Sequence, residues 1–78
     1  MDTTTTETSA LRLAHGDFVE RLFYDGDWMT CYLRVLQVTP SRSRRTVTVV
    51  FESRPGAYRP TTTVQLRADA LVVIAGTL

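Results

Sequence analysis

The segment Tyr24-Asp25-Gly26-Asp27-Trp28 constrains the fold of this chain more than any other feature. An Asp-Gly pair between aromatic flanks is a strong short-range signal for a β-hairpin, because these residues adopt the required turn conformations cheaply. The pattern continues on the C-terminal side. Residues 28–38 run without a breaker, long for one strand and therefore expected to bend or bulge. Thr39-Pro40-Ser41-Arg42-Ser43 reads as a turn. Residues 46–52 then place Val47, Val49 and Phe51 on one face and Thr46, Thr48 and Glu52 on the other. A loop follows over residues 53–60, marked by Pro55, Gly56 and Pro60. Thr62, Val64 and Leu66 alternate with Thr63, Gln65 and Arg67, Ala68-Asp69-Ala70 turns the chain, and residues 71–75 form an apolar last strand.

The N-terminal part is less regular. Residues 1–9 are polar and Thr-rich, which predicts a flexible tail. Across residues 10–24 two periods compete. Leu11, Ala14, Phe18 and Leu22 lie at helical spacing, and Asp17 with Glu20 forms an acceptable capping box. Gly16 interrupts that helix, however, and Phe18, Val19, Phe23 and Tyr24 favour strand. The expectation is strand. The alternative is an α+β fold in which an N-terminal helix packs on a three- to four-stranded antiparallel sheet.

Four or five short strands with tight turns predict an all-β meander closing on itself. The chain resembles an SH3-like small β-barrel, on Gly16-Asp17-x-Val19 opening a strand, Asp25-Gly26-x-Trp28 at the first hairpin and Ala68-Asp69-Ala70 before the last strand. That resemblance implies a single antiparallel barrel over residues 10–78 and no particular function.

Length and composition narrow the function classes. Seventy-eight residues allow one domain with a thin core. No apolar run approaches the roughly 20 residues of a membrane span, and the N-terminus lacks the basic and apolar regions of a secretory signal. A cytoplasmic location without membrane association is expected. Cys31 is the only cysteine and reads as a buried, inert thiol; with His15 as the only histidine, no zinc site and no cofactor are expected. All nine basic residues are arginine, with no lysine or asparagine and one isoleucine. Those missing residues use AT-rich codons, so a GC-rich genome is inferred, such as that of an actinobacterium or its phages and plasmids.

Catalytic constellations are scarce. Asp25 and Asp27 flank a glycine turn and read as turn residues, the glycines stand apart, and no nucleophile motif accompanies His15. The chain reads as a non-catalytic binding module without a small-molecule substrate.

Two partner classes remain. Residues 40–60 carry Arg42, Arg44, Arg45, Arg54 and Arg59 against Glu52 alone, a basic middle hidden within a net charge of +1. With Tyr58 between Arg54 and Arg59, these residues are candidates for nucleic-acid contact, by phosphate binding and base stacking. The two arginine loops should lie at opposite ends of one strand, with Asp25 and Asp27 beside Arg54 and Arg59. Tyr58 is expected to fold back over the barrel end. The alternative class is a protein partner or homodimer, as for an accessory factor of a phage or mobile element. Residues 28–38 are apolar on both faces, with Trp28, Tyr32, Leu36 and Val38 opposite Met29, Cys31, Leu33 and Val35. A bulge that turns both sets toward one core accounts for this best. A helix covering one face would also account for it, as would an interface through Trp28, Tyr32, Leu36 and Val38.

Overall fold

A computed structural model describes residues 5–75 of the chain. Six strands form one antiparallel sheet: β1 (Thr5–Ser9), β2 (Phe18–Tyr24), β3 (Asp27–Pro40), β4 (Thr46–Glu52), β5 (Thr61–Arg67) and β6 (Leu71–Ala75), with a 3-10 turn at Ala10–Arg12. Their order across the sheet is β1-β6-β2-β3-β4-β5. The β1 and β5 edges do not pair, so the sheet is open and the expected SH3-like barrel is not formed. Closure requires two distant edges to meet in register, which local alternation does not specify. The α+β alternative fails as well. Among the described residues no α-helix occurs, and Asp17 instead accepts a hydrogen bond from the Ala14 amide at 2.9 Å, closing a turn ahead of β2.

Part of the expected tail is a strand. Thr5–Ser9 pairs in full register with Leu71–Ala75, because a Thr-rich segment has good β propensity once an apolar strand offers its edge. Residues 1–4 lie outside the described residues.

The β2–β3 hairpin forms at Asp25 and Gly26, whose φ values of 54° and 81° are those of the primed turn that suits strand twist. From there β3 serves two partners. Its first half, Asp27 to Arg34, pairs with β2, and its second half, Val35 to Pro40, pairs with β4. Two irregularities bend it. Cys31 and Tyr32 together face Glu20, with Tyr32 at φ 53°, and Leu36 is an extra residue opposite the adjacent pair Val50 and Phe51. The bulges do not turn both apolar sets of β3 toward one core: Cys31 and Val35 are buried, while Trp28, Met29 and Tyr32 stay exposed.

Folding the sheet along β3 brings its two halves face to face. Val19, Leu22, Cys31 and Val72 meet Val35, Val47, Val49, Phe51 and Leu66 in one core, with Ala10 and Leu13 joining from the segment before β2. Alternation along Thr46–Glu52 buries Val47, Val49 and Phe51 as its pattern predicts. Backbone hydrogen bonds from the Ala10 amide to the Ala70 carbonyl (2.9 Å) and from the Ala68 amide to the Arg45 carbonyl (2.8 Å) fasten the turns at one end. The result is a small, compact all-β domain with a radius of gyration of 12.2 Å. No described helix is long and apolar enough to cross a membrane.

Candidate functional site

The open seam of the sheet defines the most distinctive surface. Between the β2–β3 hairpin and β5 lies a groove of about 530 Å³, walled by Leu22, Met29, Leu33, Phe51 and Val64. Thr62, Thr63 and Gln65 of β5 form one bank, and Met29, Thr30 and Cys31 of β3 form the other. Tyr24 and Gln65 also line a second cleft of about 750 Å³ that continues past Asp25, Gly26 and Arg67 to Leu71. The two clefts therefore meet at Tyr24 and Gln65.

Both banks carry unpaired strand edges. β5 pairs with β4 through seven consecutive residues without a bulge, and its other edge has no strand partner among the described residues. The first half of β3 pairs with β2 only. On that free side the Cys31 carbonyl accepts a hydrogen bond from Arg54 Nη2 at 3.0 Å, a side chain standing where a strand would otherwise be. Burial pushes the Cys31 thiol above its ordinary pKa of 9.0, and the Arg54 guanidinium opposes that rise.

The arginines singled out in the sequence do not converge. Arg42, Arg44 and Arg45 are exposed on the β3–β4 loop, with Arg44 at φ 61°. Arg54 and Arg59 lie beyond the other end of β4. Of the six candidates for nucleic-acid contact, Arg54 is engaged internally through Cys31. Tyr58 is 99% exposed, so it does not fold back over the domain end: its loop between Pro55 and Pro60 projects away from the sheet. Asp25 shares its cleft with Arg67 and Asp69 rather than with Arg54, because the fold along β3 swings the hairpin tip toward the β5–β6 turn. Arg67 and Asp69 are paired at 3.2 Å.

The four candidate interface residues also separate. Trp28 is 39% exposed, tilted against Phe23 (5.4 Å between centroids) and beneath Arg21 (5.2 Å). Tyr32 is 54% exposed and tilted against Phe18, which itself lies under Arg34. Leu36 and Val38 are half-buried, Val38 against the core. Sequence pattern gives no sign of the exposure of Met29. Alternation places it on one face with Cys31, Leu33 and Val35, yet it is 48% exposed because it lines the seam of an unclosed sheet.

No family model matches this chain, nor does any curated protein or solved structure at a significant level. The class the fold defines is a small, compact all-β domain, consistent generically with a small binding module.

Proposed function

We propose that this domain is a non-catalytic binding module whose ligand is a polypeptide segment of another protein, held in the groove between the β2–β3 hairpin and β5. The observation that carries this reading is the apolar lining of that groove at the open seam, with Met29 48% and Tyr24 43% exposed at its margins. Its volume falls within the range of ligand sites, and covering its apolar walls supplies the driving force for association. Panning a random peptide library on the intact protein tests it. Enriched peptides should lose at least about tenfold in affinity against Met29→Asp, a change at an exposed position that leaves the core untouched. Peptides indifferent to that substitution, or no enrichment at all, would reject the reading.

A second reading is favoured by one observation. Arg42, Arg44 and Arg45 project from a single short loop, with exposed Arg67 lining the same surface as Arg44 and Arg45. Such a cluster suits contact with a polyanion such as nucleic acid, whose affinity falls steeply as salt rises because neutralised phosphates release counterions. The two readings use different surfaces and are separable by substitution.

A further inference from the structure

Resting on the groove reading, we infer that the ligand binds as an added strand: an extended segment, basic at its N-terminal end and acidic at its C-terminal end, pairing antiparallel to the free edge of β5.

The hydrogen-bonding argument comes first. An unpaired strand edge presents alternating N–H and C=O groups that another extended backbone satisfies. Natural sheets blunt such edges with central charges, prolines or bulges. β1, the other edge, is five residues long and carries the exposed Glu7 at its centre. β5 has seven residues in unbroken register with β4, and from Thr61 to Leu66 it holds no charge and no proline. Its threonines are good strand formers, and four of its first five residues are exposed. This edge is left open for pairing, and the groove beside it receives alternate side chains of the incoming strand.

Charge then orients the strand. Exposed Asp25 lines the cleft end reached by Gln65 and Arg67, with exposed Asp27 two residues further along the same hairpin, and Arg67 there is already paired with Asp69. The loop at the opposite end bears Arg54 and Arg59 against Glu52. Arg54 uses one donor on Cys31 and lines the groove, and Ser53 and Thr62 share a hydroxyl hydrogen bond at 2.9 Å that fixes this loop to the start of β5. Going from the acidic end to the basic end means travelling from Arg67 toward Thr61. A segment with basic N-terminal and acidic C-terminal flanks meets both charges only by running antiparallel to β5.

The test is calorimetric titration of the full chain with three N-acetylated, C-amidated peptides. The first alternates valine and threonine between an N-terminal arginine pair and a C-terminal glutamate pair. The second exchanges the flanks, and the third is the first with alternate amides N-methylated. The first should bind roughly tenfold tighter than the second, and the third should not bind. Asp25→Asn with Asp27→Asn, which suits the turn and leaves the core unchanged, should erase most of the flank preference. Equal binding of the first and third peptides at a Met29-dependent site overturns strand addition while the groove reading stands. Equal binding of the first and second overturns the orientation and with it the proposal. Failure of all three while library peptides still bind overturns strand addition; failure of both sets rejects the groove as well. A dimer in sedimentation equilibrium that blocks binding of the first peptide assigns the β5 edge to a second copy instead.

Discussion

Arg54 Nη2 donates a 3.0 Å hydrogen bond to the carbonyl of Cys31, joining the β4–β5 loop to the bulge of β3 across twenty-three positions of sequence. This contact sits at the point where β3 has no strand partner on one side. It satisfies a half-buried carbonyl and holds the basic end of the groove in place. Arg54→Ala should therefore destabilise the domain by about 1–2 kcal/mol, because the carbonyl loses a charged donor. Urea unfolding of the variant checks this; an unchanged midpoint would mean water replaces the guanidinium without cost.

The Cys31 thiol carries a pH dependence of known sign. Burial raises its pKa above 9.0 in the folded state, with Arg54 opposing. The unfolded chain releases that proton first, so the stabilising contribution is complete below the ordinary thiol value and is lost as pH rises through the folded value. Stability measured from about pH 8 upward should fall more steeply for the native chain than for Cys31→Ala. Equal slopes would place the alkaline loss elsewhere.

Among the described residues Phe51 is the largest fully buried side chain, 1% exposed, and lies where the two halves of the sheet meet. Phe51→Ala should cost about 3–5 kcal/mol, from lost transfer energy and the cavity left behind. For a domain this small that is much of its total stability. Thermal denaturation followed by circular dichroism should show the variant largely unfolded at about 37 °C.

At Gly26 the constraint is conformational. Its φ is 81°, and an added Cβ would meet no atom within 4 Å, so any cost arises in the backbone rather than from a clash. Gly26→Ala should destabilise by about 1 kcal/mol, and Gly26→Asn by less, since asparagine tolerates this region. Chemical denaturation of the pair separates these values.

Replacing Arg42, Arg44 and Arg45 together by alanine should leave stability within about 0.5 kcal/mol, since all three are exposed on a loop. Binding of mixed single- and double-stranded nucleic acid at two salt concentrations then reads their role directly. A salt-sensitive affinity lost in the triple variant assigns the loop to a polyanion; affinity retained by the variant removes that second reading.

Local pattern determined the strands that follow the Asp25-Gly26 hairpin, that hairpin itself and the inward row Val47, Val49 and Phe51, because alternation and turn chemistry act between residues adjacent in sequence. It also pointed to a bend in β3, since an eleven-residue run without a breaker is long for one straight strand. What lay beyond it were the relations between distant segments. Only the tertiary structure decided that Thr5–Ser9 joins β6 as a sixth strand, that β1 and β5 do not meet, and that Tyr58 faces water. The same folding along β3 carried Asp25 to the β5–β6 turn and left Met29 at an open seam. Pairing between remote edges is a competition among long-range contacts, each set against the entropy of closing the chain between them, and no local period records its outcome.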